Sequence, residues 1–293
     1  MSRALVLALI LPLPAWAQEM TVTDTSGRTS VLPEPPTRVV TLNEWQLYDL
    51  IAIGVEPVAS QIAPVPPEFA GETPAETVAR NRGVEVAPAF GRINPATWDI
   101  DWELVAAFEP DLIVLRSPDE VPLAEQVAPV YFAPIMGDDG VDDYALIRAG
   151  FVGLGEVLGR GDAARAVAQE VEDRIAAYAA LVPERRSVAF VFTDGESFDV
   201  MGLTQLSCHL WDQVADCVTG AERWTTMSVE GLLSLDPDVL LLGTGGCFGE
   251  GCEAERTRVL EEASETGLWA ELTAVREGRV AFVPYDIRAG SVS

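Results

Sequence analysis

Two segments of this chain, 127 residues apart, repeat one pattern. Trp102 to Leu115 reads WELVAAFEPDLIVL, and Val229 to Leu242 reads VEGLLSLDPDVLLL. Each predicts an amphipathic helix with a carboxylate near its start, a corner at an acidic residue followed by Pro-Asp, and a buried strand, because proline cannot continue the helix. The spacing is too long for a solenoid repeat. We interpret the copies as matching elements of two similar lobes; the alternative is chance similarity of two α/β corners.

The residues around the first lobe's start predict strand, helix and strand in succession. Val39 to Leu42 is a β-branched run, a helical stretch follows and ends at Gly54, and Val55 to Ala59 predicts a second strand. This order indicates a parallel sheet with crossover helices.

Two helices are predicted between the copies. Apolar residues at helical spacing run from Tyr144 to Leu158, Gly159 to Gly161 break that helix, and Asp162 is the predicted N-cap of the next. The second helix ends at Pro183 and is long enough, at ~30 Å for ~20 residues, to join two lobes. Its predicted apolar face carries Val167, Val171, Ile175 and Tyr178. The predicted division is a signal peptide over 1–17, an N-terminal α/β lobe over 18–160, an interlobe helix over 161–183 and a C-terminal α/β lobe over 184–293.

The N-terminus predicts export. Arg3 is followed by the apolar run Ala4 to Leu13 and then by Ala15-Trp16-Ala17, the order of a cleavable secretory signal. The run is too short to span a bilayer, and no later segment holds ~20 uninterrupted apolar residues. We therefore expect a mature protein from about Gln18 that is periplasmic and not embedded in the membrane.

Charge excludes several function classes. The formal net charge is -27, so nucleic acid and anionic membranes are disfavoured partners. That charge is compatible with a saline habitat or simple solubility, and also with docking onto a basic partner surface. All 19 basic residues are arginine, which excludes Schiff-base and lysine-nucleophile chemistry.

Four cysteines in an exported chain predict disulfides. They form two near pairs, Cys208 with Cys217 and Cys247 with Cys252. If residues 208–217 are helical, the first pair is ~13 Å apart and cannot bridge, which favours at least one bond between the two regions. The spacings do not fit a zinc finger or ribbon.

The motifs together resemble class III periplasmic binding proteins of ABC importers, a family that carries iron–siderophores, haem and vitamin B12. The resemblance covers nearly all of the mature chain. Its local matches are to the hydroxamate-siderophore (ferrichrome-type) binding proteins, in these stretches: RVVTLNEWQLYDLIAIG (38–54), FGRINPATW (90–98), LWDQVADCVTGAERW (210–224) and GLWAELTAVREGRVAFVP (267–284). It implies two Rossmann-like lobes with mainly parallel sheets, joined by one long backbone helix.

The resemblance also implies ligand-binding residues. Arg92 matches the arginine that hydrogen-bonds ligand oxygens around the iron, Trp224 matches a pocket aromatic of the second lobe, and Trp45 lies in the loop that lines the first-lobe side. Arg116 stands where the family has a tyrosine, and Tyr285 with Arg288 replace an aromatic cluster. These arginines favour a more anionic ligand, such as a carboxylate or catecholate chelate. The arginines, Tyr285 and the loop from Asn43 to Trp45 lie after, or between, predicted strands, where α/β lobes bind ligands.

The family also docks an acidic residue of each lobe into arginine pockets of the permease. The candidates here are Asp119 or Glu120 for the first lobe and Glu250, Glu253 or Glu255 for the second. We expect a monomer that needs no cofactor and no protein-bound metal, its ligand being a ferric siderophore complex. The chain ends at Ser293, before the family's last strand and helix, so we expect a truncated chain.

Three alternatives remain open. A haem or cobalamin carrier of the same fold would have Tyr285 as the only placed axial ligand for haem. An exported hydrolase would depend on His209, the single histidine, and no Gly-x-Ser-x-Gly motif is present. A zinc or manganese carrier is disfavoured by the lack of histidines. The glycine-rich stretch 243–251 lacks the Gly-Lys-Ser ending of a phosphate loop and predicts a disulfide-pinned loop.

Overall fold

The computed structural model describes residues 20–62, 71–94, 97, 99–134, 143–182, 184–193, 197–202, 214–218, 224–244, 253–265 and 267–284. The predicted signal peptide lies outside the described residues.

The first half of the chain forms a parallel sheet. A short antiparallel hairpin precedes it, made of β1 (Met20–Thr23) and β2 (Thr29–Leu32). The sheet has the strand order β5-β4-β3-β6-β7, and each neighbouring pair is parallel. Its strands are β3 (Val39–Thr41), β4 (Ala59–Ser60), β5 (Gly91–Arg92), β6 (Leu112–Leu115) and β7 (Val130–Phe132).

Helices connect these strands and cover the sheet. They are α1 (Glu44–Ala52), α2 (Pro74–Arg82), α3 (Trp102–Ala107), α4 (Val121–Ala124) after a 3₁₀ turn at Pro118–Glu120, and α5 (Tyr144–Val157). All four residues of β6 are buried, as expected for a strand covered on both faces.

Helix α6 (Gly161–Leu181) follows α5 and leads to the second half of the chain. Ala164 and Ala168 are buried in the first-lobe core, with Val167 and Val171 packed against it. The C-terminal part of α6 is exposed to solvent: Tyr178 is 65% exposed and Leu181 is 76% exposed. The predicted apolar face is therefore correct for the first half of α6 and wrong at Tyr178, because the helix there has passed the core it packs on.

The start of α6 also differs from the prediction. Gly159, at φ 68°, ends the preceding helix, and Arg160 occupies the N-cap position without a side-chain cap bond. Asp162 lies inside the first turn and pairs with Arg165. The predicted Asp162 cap is wrong, although a carboxylate in the first turn still favours the helix dipole.

The second half of the chain forms a mixed sheet with the order β11-β9-β8-β12-β13, and β10 pairs with β8. Strands β8, β12, β13 and β10 run parallel, whereas β9 and β11 pair antiparallel. The strands are β8 (Ser187–Thr193), β9 (Phe198–Met201), β10 (Asp216–Cys217), β11 (Trp224–Met227), β12 (Val239–Thr244) and β13 (Val280–Pro284). The helices are α7 (Val229–Leu235), α8 (Glu253–Glu265) and α9 (Thr273–Arg276), the last preceded by a 3₁₀ turn at Trp269–Glu271.

The two sheets and the long helix confirm the predicted fold class. The exact predicted lobe boundaries stay predictions. The predicted strand Val55 to Ala59 is shorter than expected: only Ala59–Ser60 pairs, because the Val55 amide donates to the Leu50 carbonyl and so belongs to the helix ending.

The repeated corners are alike in atomic detail. The acidic residue before each proline, Glu109 and Asp236, has a positive φ of 48° and 37°. The following aspartate then holds the start of a neighbouring strand. Asp111 accepts hydrogen bonds from the amides of Thr37 and Arg38 ahead of β3, at 2.7 and 2.8 Å.

Asp238 does the same for β8, since its carboxylate accepts the amide and hydroxyl of Ser187 at 3.1 and 2.8 Å. The repeat therefore encodes a strand clamp as well as a helix–strand corner.

This clamp predicts a pH-dependent stability difference. The Ser187 hydroxyl and amide lower the pKa of Asp238, with Arg279 and Arg186 adding to the effect. A lowered folded-state pKa stabilises the protein above the ordinary aspartate range, and the benefit is lost as the pH falls through the lowered pKa. We expect Asp238→Asn to cost at most about 1 kcal/mol at pH 7, because the group is solvent-screened.

Chemical unfolding of both proteins between pH 2.5 and pH 7 measures this difference. The difference in free energy of unfolding between the wild type and Asp238→Asn should shrink to zero as the pH is lowered. Ser187→Ala should remove the same contribution, so the double variant should lose little more than either single one. A gap of equal size at every pH would show that the carboxylate charge is not involved.

Candidate functional site

Three of the predicted site residues follow strands of the first sheet. Arg92 is the last residue of β5, Arg116 directly follows β6, and Trp45 lies in the first turn of α1 after β3. Because these strands are parallel, all three residues lie at the carboxyl edge of the sheet. Three strand spacings separate β5 from β6, which is ~14 Å at ~4.8 Å each. The structure therefore brings these three residues to one edge of the sheet, and their roles as ligand-binding residues stay predictions.

Trp45 and Arg116 are in direct contact. The guanidinium carbon of Arg116 lies 3.6 Å from the centroid of the Trp45 ring, a close cation–π geometry. Asn43 orients the ring's helix, since its Oδ1 accepts the Trp45 amide at 2.9 Å and caps α1. The edge therefore presents a cation stacked on an indole, held at the start of a helix.

Arg92 is buried, with only 7% of its surface exposed. Its Nη2 donates to Thr77 Oγ1 at 3.0 Å, and its Nε has no hydrogen-bond partner among the described residues. Burial lowers the pKa of Arg92, while the charges of Glu72 and Glu44 oppose that shift and Arg80 adds to it. The ordinary pKa of arginine lies so far above 7 that Arg92 stays charged at pH 7. This edge of the sheet therefore holds a buried cation whose Nε has no hydrogen-bond partner among the described residues.

Helix α2 supplies Thr77, the hydrogen-bond partner of Arg92, and this contact was not predicted from the sequence. A capping box between Thr73 and Glu76 starts the helix and sets the position of Thr77. Glu72 pairs with Arg80 at 3.0 Å. The Thr-x-x-Glu spacing at 73–76 was the available signal for a helix start here.

Two of the acids predicted to dock the permease, Asp119 and Glu120, follow Arg116 closely in the chain. Asp119 is exposed, whereas Glu120 is half-buried. Burial raises the pKa of Glu120; the nearby positive charge of Arg116 opposes that shift, and Asp119 adds to it. Of the second-lobe candidates, Glu253 and Glu255 belong to α8 but their side chains lie outside the described residues, as does Glu250. All five docking assignments stay predictions.

Trp224 lies within the second sheet. It pairs with Met201 of β9, and the register places it about three residues back from the carboxyl end of β8. Its ring is 5.7 Å from the ring of Phe192, which in turn lies 5.0 Å from Phe190. The structure shows an aromatic cluster on this sheet that includes the Trp224 ring. Its ligand role stays a prediction, as do those of Tyr285 and Arg288, which lie outside the described residues.

Cys217 is disulfide-bonded and lies in strand β10. The assumption of a helix reaching Cys217 is therefore wrong, and with it the distance argument against pairing Cys208 with Cys217. The other three cysteines, Cys208, Cys247 and Cys252, lie outside the described residues, so the connectivity stays a prediction.

The described part of the chain contains no group of three histidine, cysteine or acidic side chains placed to hold a metal ion. His209 lies outside that part. None of the helices that the structure describes has the length and apolar character needed to cross a membrane.

A family model described as periplasmic binding protein matches residues 39–286, which is most of the chain. The chain belongs to the periplasmic binding protein family. A search of curated proteins finds no sequence match for this periplasmic binding protein.

Solved structures agree in fold with this periplasmic binding protein. The iron-uptake ABC transporter substrate-binding protein PiuA from Streptococcus pneumoniae has a TM-score of 0.71 at 18% identity and covers 94% of each chain. The catecholate-siderophore binding protein VctP from Vibrio cholerae has a TM-score of 0.67 at 17% identity, over 94% of this chain and 95% of its own. FhuD from Vibrio cholerae, bound to Fe3+–Desferal, has a TM-score of 0.65 at 16% identity, over 87% of this chain and 95% of its own. At these identities the likeness shows the fold.

Proposed function

We propose that this periplasmic binding protein captures a ferric siderophore between its two lobes and delivers it to the permease of an ABC importer. The observation that carries the proposal is the Trp45–Arg116 pair at the carboxyl edge of the first sheet, with the buried Arg92 on the same edge. The solved proteins of this fold named above bind a catecholate siderophore and Fe3+–Desferal or serve iron uptake, which supports the same cargo class.

The chemistry of the edge suits a ferric chelate. Such a complex presents oxygens crowded around the metal and an organic backbone outside them. Arginine supplies a planar, charged fork for the oxygens, and an indole covers apolar backbone with little entropy to lose. The protein need not ligate the iron itself, so no resident metal or cofactor is part of the proposal, and the role is binding without catalysis.

The charge distribution favours an anionic chelate. The whole chain carries -27, which repels anions at long range, but this field is screened beyond ~8 Å at physiological salt. The arginines at the edge of the sheet can therefore act on a bound ligand at short range. Arg116, with its guanidinium on Trp45, and the spare donor of Arg92 favour carboxylate or catecholate chelates over neutral hydroxamates.

The compartment and the partner follow from the same proposal. We infer export through cleavage of the predicted signal over 1–17, and the disulfide at Cys217 is consistent with an oxidising periplasm. Docking of a monomer through Asp119 or Glu120 in one lobe and Glu250, Glu253 or Glu255 in the other would bring acidic side chains to basic pockets of the permease. Asp119, which is exposed, is the first-lobe residue we favour.

The proposal is tested by tryptophan fluorescence. We expect titration with the correct ferric chelate to quench emission, with Trp45 contributing the largest single share because its ring lies at the proposed site. The ligands to compare are hydroxamate, carboxylate and catecholate ferric complexes, haem and cobalamin.

Trp45→Phe should reduce the quenching amplitude more than Trp102→Phe, which alters an indole at the start of α3. Flat titrations with every ferric chelate would contradict the proposal. A Soret band in the complex would replace the siderophore with haem.

A further inference from the structure

A small cavity lies beside the Trp45–Arg116 pair. Two polar residues of α1, Gln46 and Asp49, line it together with Arg116. The rest of the lining comes from residues after β7 and from α5: Ala133, Pro134, Ile147, Gly150, Phe151 and Leu154. Its volume of about 20 Å³ suffices for one water molecule and excludes an organic ligand.

Gln46 makes this cavity unusual. Its side chain is buried, with 6% exposed, and neither amide atom has a hydrogen-bond partner in the part of the chain that the structure describes. A buried polar group left without a partner costs about 1–3 kcal/mol. A cavity of one-water size, lined by an amide, a carboxylate and a guanidinium, offers the two to four polar partners that a buried water requires.

We propose that Gln46 is a positioning residue, and that it holds one ordered water which bridges its amide to Arg116 and Asp49. Gln46 follows Trp45 in the chain, and Asp49 lies one helical turn further on the same face of α1. The helix that carries the indole thereby also fixes the guanidinium that stacks on it. The site is ordered before ligand arrives, and pre-ordering lowers the cost of binding. Only this consequence for affinity rests on the proposed function.

The position of Arg116 is read directly by nuclear magnetic resonance in the absence of ligand. A proton held above an indole ring is shielded by the ring current, and Arg116→Gln identifies the Arg116 side-chain signal. We expect Gln46→Met, which keeps the side-chain length and removes the amide, to move this signal towards those of exposed arginines. The affinity for the ferric chelate identified above should fall by about fivefold, the effect of one lost hydrogen bond.

Two further variants give the comparison. Gln46→Glu keeps the side-chain length and a terminal oxygen, and should restore the shielded Arg116 signal. Gln126→Met places the same substitution at an exposed glutamine and should leave both signal and affinity unchanged.

An unchanged Arg116 signal in a folded Gln46→Met protein would overturn the positioning role. If that variant does not fold, a high-resolution crystal structure of the wild type decides: solvent density within hydrogen-bond distance of the Gln46 amide supports the proposal, and a dry cavity refutes it. If Arg116→Gln leaves ligand affinity intact, the proposed ligand contact fails while the positioning result still stands on the ligand-free signal.

Discussion

Arg92→Ala is expected to weaken binding of the ferric chelate by about 1.5–3 kcal/mol, the range for a hydrogen bond to a charged group. Arg92 is buried at the carboxyl edge of β5, and its Nε has no partner among the described residues. Ligand oxygens would satisfy that donor in a poorly solvated position, where charged hydrogen bonds are strongest. Isothermal titration calorimetry with the chelate selected by fluorescence measures the loss.

Two comparisons separate ligand binding from stability. Arg92→Lys keeps the positive charge but loses the planar guanidinium with its several donors. We therefore expect its affinity to lie between those of Arg92→Ala and the wild type. Arg174→Ala removes an exposed arginine of α6 that pairs with Glu170, and should bind as wild type does. Thermal unfolding of each variant verifies that the protein titrated is folded. A dissociation constant unchanged in folded Arg92→Ala would remove Arg92 from the site.

Gly155→Val is expected to lower the free energy of unfolding by about 3 kcal/mol. Gly155 lies where α5 packs on α6: a Cβ added there would lie 2.5 Å from the Cβ of Ala164 and 3.4 Å from the carbonyl oxygen of Arg160. Ala164 is fully buried and has no flexible side chain that could move aside. The two helices would have to separate, which disrupts the packing that anchors α6 to the first lobe.

Ala149→Val is the matched control for this substitution. It places the same β-branched side chain on the exposed face of α5, where only the small loss of helix propensity applies. Urea unfolding followed by circular dichroism compares the two. Replacing glycine by valine does not itself reduce helix propensity, so a destabilisation of Gly155→Val no larger than that of Ala149→Val would show that the α5–α6 contact does not set the cost.

The fold was predictable because its elements are encoded locally. The repeated pattern at 102–115 and 229–242 contains its own helix start, proline corner and buried strand, and both copies adopt that structure. The helix propensity of α6 was equally local. The errors occurred where a residue's role depends on its neighbours in space: Tyr178 has the right spacing for a buried face but extends beyond the core, and Val55 completes a helix ending instead of pairing in the sheet.

The sequence predicted that the site residues lie at the carboxyl edge of the first sheet, but it did not predict which side chains they contact. Residues that follow parallel strands must lie at the same edge, so Trp45, Arg92 and Arg116 were found from sequence. Their partners were not. Thr77 reaches Arg92 from a helix 15 positions away in the chain, and Gln46 appears in the sequence as an ordinary polar residue of an amphipathic helix.

The sequence by itself determined the class of elements, their order and the residues at the carboxyl edge, because helix periodicity, proline corners and β-branched runs act over a few residues. Only the tertiary structure decided that Arg116 stacks on Trp45, that Arg92 is buried with a donor to spare, and that Gln46 faces a cavity of one-water size. Those facts depend on the distance and burial of side chains far apart in the chain, which no local pattern specifies.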